Sequence, residues 1–99
     1  MRLRLSPLVP ADLEAVADYI AQDSPRQAVR WLRLIRKRIQ EIARQPELYQ
    51  LRPEIGPDAR LAVADQYVIL FRIRKNTVRI ERVLHGNRDL QSLLEEKED

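Results

Sequence analysis

The sequence predicts an α+β domain in which an antiparallel sheet packs against an N-terminal helical hairpin and a short helix ends the chain. Residues 67–84 are rich in β-branched and aromatic side chains around Lys75–Asn76, as in two strands joined by a tight turn. Apolar residues within 13–20 and 28–42 recur every three or four positions, the period of an amphipathic helix. Short links join the strands after residue 58, so those strands should be antiparallel. The predicted order is β-α-α-β-β-β-α.

The N-terminal segment predicts one strand and one helix. Residues 2–5 alternate Arg and Leu, which is typical of a half-buried strand. Pro10 suits the first turn of a helix, so the helix should begin near this residue. An earlier start capped by Ser6 is the alternative, although Pro10 would then cost a backbone hydrogen bond. The apolar stripe of this helix comprises Leu13, Val16, Ala17 and Ile20.

The second helix has recognisable ends. Ser24 suits the N-cap, Pro25 suits the first helical position, and Gln27 can close a capping box. The dipeptide Gln45–Pro46 ends the helix. The short link before Ser24 predicts that the two helices form an antiparallel hairpin. The apolar stripe of the second helix comprises Ala28, Leu32, Ile35, Ile39 and Ile42.

The C-terminal half predicts a loop, three strands and a helix. Residues 46–58 are punctuated by proline and glycine and are typical of a loop. Residues 61–63 predict a short strand, and a turn near 64–66 leads into the hairpin. The polar cluster His85–Asp89 closes the hairpin. A final helix carries Leu90, Leu93 and Leu94, and its acidic end, residues 95–99, should be frayed.

Composition restricts the classes of function. The 99 residues suffice for a single domain, 1–99, with no cysteine and no apolar run that could span a membrane, which fits a cytoplasmic protein. With one His and two Gly, the sequence predicts no metal site, no phosphate-binding loop and no cofactor. The net charge is +3, and 15 of the 18 basic residues are Arg. Either an acidic partner or a solvated basic surface explains this excess.

Three large residues on the helices do not belong to the centres of the core stripes. Tyr19 and Leu34 lie roughly 120° from the centres of their stripes, and Trp31 lies at the margin of the second stripe. Large apolar residues in such positions suit a partner-binding surface. Ordinary peripheral packing explains them equally well.

Polar residues at the end of the hairpin offer possible chemistry. His85 could act as an acid or base beside the cation Arg88. It could instead satisfy nearby backbone groups, with Gly86 and Asn87 forming a turn and Asp89 capping the last helix.

Two further arginines accompany apolar strand residues. Arg82 shares an alternating pattern with three apolar residues in 78–84, which indicates either a β-bulge that shifts the register or a functional, inward-facing Arg. Arg60 precedes an apolar strand and is either simply exposed or part of a basic groove with Arg82 and Arg88.

Several motifs follow one another in a fixed order along nearly the whole chain. They are Asp12-Leu13…Tyr19-Ile20, Ser24-Pro25…Ala28, Arg60-Leu61 before Tyr67-Val68-Ile69-Leu70-Phe71-Arg72, and Val78-x-Ile80-x-x-Val83-Leu84-His85-Gly86-x-Arg88-Asp89. This ordered set resembles the ParE-type toxins of the RelE/ParE superfamily. The resemblance implies the toxin of a bacterial type II toxin–antitoxin system, a class linked to plasmid stabilisation. It also implies a ParD-like antitoxin that covers the helix pair, with Tyr19, Trp31 and Leu34 as antitoxin-binding residues.

The resemblance leaves two classes of target. ParE-like toxins inhibit DNA gyrase, whereas RelE-like relatives cleave ribosome-bound mRNA. The nuclease branch has an Arg directly after the strand Tyr and a Tyr in the C-terminal segment; this chain has Val68 in the first position and leucines in the second. We therefore expect a gyrase inhibitor that contacts neither membrane nor nucleic acid directly. A nuclease would use Arg60, Arg82, His85 and Arg88, and a member without toxicity is the third possibility.

Overall fold

The computed structural model, which describes residues 1–86 and 88–97, contains the helices and strands in the predicted order. The elements are β1 (Arg2–Leu5), α1 (Leu8–Ala21), α2 (Pro25–Arg44), a 3-10 turn (Pro46–Leu48), β2 (Ala59–Ala64), β3 (Tyr67–Arg74), β4 (Thr77–His85) and α3 (Arg88–Lys97). The α+β class is confirmed. No helix among the described residues is long and apolar enough to cross a membrane.

The strands of the described residues form one sheet in the order β1-β4-β3-β2. The neighbours β2, β3 and β4 are antiparallel, as predicted. In contrast, β1 runs parallel to β4, with Leu3 beside Val78 and Leu5 beside Ile80, so the sheet is mixed and not wholly antiparallel. A parallel neighbour needs a long crossover, and the segment that contains both helices provides it.

Helix α1 begins at Leu8, before the position predicted from Pro10. Ser6 supports the earlier start, because its hydroxyl oxygen accepts the N–H of Leu8 at 3.2 Å and its carbonyl accepts the N–H of Val9 at 3.1 Å. Pro10 therefore lies in the first turn, where backbone N–H groups have no intrahelical partner. The penalty expected at Pro10 was wrong for this reason.

Helix α2 begins as predicted, since the Ser24 hydroxyl accepts the N–H of Gln27 at 3.2 Å. In a complete capping box the Gln27 side chain would also accept the N–H of Ser24. This N–H instead donates to the carbonyl of Ile20 at 3.0 Å, so the second hydrogen bond of the box is not needed. At the other end of the chain, α3 continues to Lys97, beyond the point where we expected fraying, and residues 98–99 lie outside the described part.

Helices pack against both faces of the sheet, but they cover the outer face only at one end. The face that we call inner packs against α1 and α2, and Phe71, Ile35 and Ile42 are fully buried there. The outer face packs against α3 at the end near Leu84 and Val68. The partly buried residues of α3 in this second cluster are Leu90, Leu93 and Leu94, as the sequence predicted for its apolar side.

A β-bulge at Glu81 confirms one of the two interpretations of the Arg82 pattern. Leu70 pairs with Arg82 while the next residue, Phe71, pairs with Ile80, so Glu81 is the extra residue of β4. Ser6 stabilises the bulge: its N–H donates to the carbonyl of Ile80 and its hydroxyl donates to the carbonyl of Glu81, both at 2.8 Å. The shift puts Ile80 before the bulge and Val83 after it on the inner face.

Candidate functional site

A groove of about 520 Å³ lies between the helical hairpin and the turn that joins β2 to β3. Tyr19, Trp31 and Leu34, the predicted antitoxin-binding residues, all line it. The structure therefore brings together three residues that the sequence places on two helices. The remaining lining residues are Ile20, Gln27, Arg30, Asp65, Gln66 and Tyr67.

The three predicted residues differ in exposure. Tyr19 is 67% exposed and Leu34 is 38% exposed, so both remain accessible. Trp31 is only 6% exposed and belongs to the inner core, which makes the buried face of α2 broader than its predicted stripe. The indole Nε1 of Trp31 is buried and has no hydrogen-bond partner among the described residues. Trp31 thus forms a buried wall of the groove, while Tyr19 and Leu34 are its accessible apolar residues.

Tyr67 connects this groove to the polar cluster at the end of the hairpin. Its ring meets Trp31 edge-on at 5.1 Å and His85 edge-on at 5.6 Å between ring centroids. A smaller cavity of about 160 Å³ also includes Tyr19 and Tyr67, together with His85 and Arg88, so the two depressions adjoin. Burial, and to a lesser extent Tyr19, raises the pKa of the Tyr67 phenol, which keeps its hydroxyl protonated near neutral pH.

The sequence did not single out Tyr67 as a functional residue. It was assigned only to a strand, because its aromatic ring fits a half-buried sheet. The available clue was the register of the predicted hairpin, since the first residue of β3 pairs with the last residue of β4, His85. A count of residue pairs outward from the Lys75–Asn76 turn gives Tyr67 a partner one residue away from His85, because the count does not include the bulge.

His85 makes local structural contacts. Its backbone N–H donates to the Asp89 carboxylate at 2.9 Å, and its ring Nδ1 accepts the backbone N–H of Arg88 at 3.4 Å. His85 therefore satisfies the first backbone N–H of α3, as one of the two interpretations predicted. Asp89 reaches back to β4 and does not cap the helix in the expected way. Asn87, which we expected in the same turn, lies outside the described residues.

Gly86 holds this end of the hairpin close to the β2–β3 turn. Its N–H donates to the carbonyl of Gln66 at 2.9 Å. A Cβ atom at this position would lie 3.2 Å from the same oxygen, closer than ordinary contact allows. This close approach of two backbone segments favours glycine at this position.

Arg82 is fixed by an ion pair at the edge of β4 that β1 leaves uncovered. Its Nε and a terminal nitrogen donate to the two carboxylate oxygens of Asp12 at 2.8 and 2.9 Å. The same carboxylate accepts the backbone N–H of Val83 at 3.0 Å. Asp12 is 12% exposed as a side chain and Arg82 is 34% exposed. This pair attaches α1 to β4 and so helps to position Tyr19 beside the groove.

Arg60 lies on β2, separated from β4 by the intervening strand β3. Its guanidinium donates to the backbone carbonyls of Tyr49 at 2.6 Å and Glu47 at 3.4 Å, which attaches the preceding loop to the sheet. The predicted basic groove of Arg60, Arg82 and Arg88 is therefore not assembled. Of the four nuclease candidates, only His85 and Arg88 line the same cavity among the cavities described for residues 1–86 and 88–97. Within the described residues, no three His, Asp or Glu side chains are grouped so that they could hold a metal ion.

Comparison with known proteins identifies the class of protein that this fold represents. The model of the ParE toxin family, of the type II toxin–antitoxin system parDE, matches residues 3–90. A structure of the chromosomal ParDE TA system from P. aeruginosa has the same fold, with a TM-score of 0.75 and 22% sequence identity over 86% of this chain and 95% of that chain. No curated protein sequence matches the chain.

The chain belongs to the ParE toxin family of type II toxin–antitoxin systems. The family model covers both helices of the hairpin, the strands from residue 3 onward and the start of α3. This confirms the resemblance found in the sequence motifs.

Proposed function

We propose that residues 1–99 form one ParE-like toxin domain that inhibits DNA gyrase in the cytoplasm and is neutralised by a tightly bound ParD-like antitoxin. The observation that carries the proposal is the groove formed by Tyr19, Trp31, Leu34 and Tyr67. Membership of the ParE toxin family supports the antitoxin as the partner that fills it.

The chemistry of the groove favours a protein segment with apolar anchors. Tyr19 and Leu34 leave apolar surface open to solvent, and aromatic anchors contribute much of the binding energy in protein interfaces. The protonated Tyr67 hydroxyl can donate a hydrogen bond to a backbone carbonyl of the partner. Arg30 lines the groove as well and suits a carboxylate on the same segment.

The positions of the arginines favour inhibition by binding over cleavage of RNA. Metal-independent cleavage needs several cations and a proton-transfer group around one phosphate. Arg60 and Arg82 are instead bonded to protein groups on different parts of the sheet. The proximity of His85 and Arg88 is the observation that keeps an mRNA endonuclease as the second candidate.

Controlled expression in a bacterial host tests the proposed target. We expect DNA synthesis to fall early, with an SOS response, while translation continues. Purified chain should inhibit supercoiling of relaxed plasmid by gyrase, and the antitoxin encoded by a small ribbon-helix-helix reading frame beside the gene should reverse the inhibition. Immediate arrest of translation with cut mRNA would instead identify the endonuclease. Unimpaired growth at a verified protein level would contradict both.

A further inference from the structure

The outer face of the sheet is basic at the end near the Lys75–Asn76 turn. Side chains alternate between the two faces of a strand. Leu3, Val78 and Phe71 point to the inner core, so the residues that flank them point outward. We name these outward arginines the arginine face; they are Arg2 and Arg4 of β1, Arg79 of β4, and Arg72 and Arg74 of β3.

Three members of the arginine face lie side by side. Arg4 pairs in register with Arg79, and Arg79 pairs with Arg72. Neighbouring strands are about 4.8 Å apart, and like charges directly opposite each other destabilise a sheet. Charged residues on an edge strand protect it from aggregation, which accounts for Arg4. Arg72 and Arg79 lie on the two inner strands, where that explanation does not apply.

The nearby carboxylates offset only part of this charge. Asp58 pairs with Arg72 at 3.3 Å and with Arg74 at 3.2 Å, and Glu81 pairs with Arg79 at 3.2 Å. The face therefore holds five positive charges against two negative ones. The side chains of Arg74 and Arg79 are 66% and 48% exposed, so the charge is accessible.

We propose that the arginine face binds the phosphate backbone of duplex DNA. The guanidinium fork matches phosphate oxygens, and a row of exposed arginines lowers its mutual repulsion when a polyanion binds. Of the five aromatic residues of the chain, four belong to the inner core and Tyr19 lies on α1, so this face has no ring on which the bases of a single strand would stack.

This inference goes beyond the proposed function, because it requires neither gyrase nor the antitoxin. It also differs from the expectation that the chain does not contact nucleic acid. In the sequence, the arginines are dispersed over segments 2–4, 72–74 and residue 79. The predicted β3–β4 hairpin places Arg72, Arg74 and Arg79 on one surface. The parallel pairing of β1 with β4 adds Arg2 and Arg4, and the sequence did not reveal that pairing.

Fluorescence anisotropy of the full chain with a labelled, random-sequence duplex tests the proposal without gyrase. Binding should weaken steeply between about 50 and 200 mM salt, as counterion release requires. The variant Arg4→Gln/Arg74→Gln/Arg79→Gln should bind at least about ten-fold more weakly and should reduce the logarithmic salt slope by about 2 to 3. Unchanged affinity in a folded variant would overturn the proposal.

A matched control removes the same charge elsewhere. Arg26→Gln/Arg33→Gln/Lys37→Gln alters the exposed side of α2, where cations are usual for an amphipathic helix. This control variant should keep nearly all of the DNA affinity. If both triple variants lost the same affinity, only the net charge of the chain would matter, and the arginine face would not be the DNA-binding site. The variant Arg2→Gln/Arg4→Gln disturbs none of the ion pairs on this face and should still weaken binding.

The same assay separates DNA from an acidic protein. Poly-L-glutamate offers carboxylates without phosphates and competes for a site that recognises acidic polypeptides. If it displaced the duplex at equal charge concentration, the arginine face would be an acidic-protein site and the proposal would be wrong. Circular dichroism of each variant at the assay temperature verifies that the loss of binding does not come from unfolding.

Discussion

The two ends of the β3–β4 hairpin differ in chemistry although the same strands build both. The Tyr67–His85 end is aromatic and borders an apolar groove between the helices and the sheet. The Lys75–Asn76 end carries the arginine face. Because β3 has eight residues, the ends are about 27 Å apart. An apolar protein segment suits the first end and a polyanion suits the second, and occupation of one leaves the other open.

The difference follows from what covers β4 along its length. Near the turn, β1 pairs with β4 and places Arg2 and Arg4 beside Arg79. Beyond the bulge, β1 has ended and α1 takes its place, fixed by the carboxylate of Asp12. The aromatic end therefore depends on the packing of a helix, whereas the basic end depends only on strand pairing.

The largest expected effect comes from the contact that attaches α1 to the aromatic end. Asp12→Ala should lower the free energy of unfolding by about 2 kcal/mol or more, because it removes three hydrogen bonds and leaves a partly buried Arg82 without its carboxylate. Antitoxin binding should weaken as well, while DNA binding by the arginine face should persist.

Urea denaturation of Asp12→Ala against Asp18→Ala measures this effect. Asp18 lies on the same helix and is exposed, so its replacement should change stability by less than about 0.5 kcal/mol. Equal stability of the two variants would show that α1 is held to the sheet by its apolar stripe alone.

Local patterns were sufficient to predict most of the fold. The Ser24 cap, the apolar spacing of α2 and the tight turn at Lys75–Asn76 each depend on neighbouring residues, and each is observed. The parallel pairing of β1 depends on residues about 75 positions apart, which periodicity does not report. Arg82 was correctly associated with a bulge, but its partner Asp12 lies on a different element and was missed.

The candidate site was less predictable than the fold. Tyr19 and Leu34 could be found because they depart from the helical stripes, and both are exposed. The burial of Trp31 could not be found in the same way, since it depends on how Tyr67 packs against it. Arg60 was grouped with Arg82 because both are strand arginines, yet the sheet order separates their strands.

The second prediction tests whether the groove binds the antitoxin. Tyr19→Ala and Leu34→Ala should each weaken antitoxin binding by about ten-fold or more, since each removes an accessible apolar anchor. Leu48→Ala is the matched control, because Leu48 is 75% exposed and lies outside the groove. Isothermal titration calorimetry gives the affinities, and unchanged affinity of Tyr19→Ala and Leu34→Ala would assign the antitoxin to another surface.

The third prediction distinguishes a structural His85 from a catalytic one. His85→Ala should lower stability by about 1 kcal/mol, the value of a hydrogen bond to the first turn of α3, and should leave toxicity intact. Growth arrest on induction and thermal unfolding supply the two readouts. If toxicity disappeared while the fold and antitoxin binding survived, the structural interpretation of His85 would be wrong and the endonuclease candidate would gain support.

The smallest expected effect concerns Asp58, the carboxylate beneath the arginine face. Burial alone would raise the pKa of Asp58, but the hydrogen bond from Arg74 and the charges of Arg72 and Arg74 lower it overall. Because the pKa of Asp58 is lower in the folded state, its carboxylate stabilises the fold at pH values above the unfolded pKa of about 3.9. This stabilisation is lost as the pH falls through the folded pKa. Asp58→Asn should therefore be less stable than the parent chain at pH 7 and equal to it in strong acid.

The same substitution should strengthen DNA binding, because it removes a carboxylate that competes with phosphate for Arg72 and Arg74. Asp23→Asn, at an exposed position between the helices, is the control and should change neither stability nor affinity. Thermal unfolding across the acid range and anisotropy at neutral pH measure the two effects. Weaker DNA binding by Asp58→Asn would mean that Asp58 organises the arginines for their ligand, so the basic end would require positioned side chains and not charge alone.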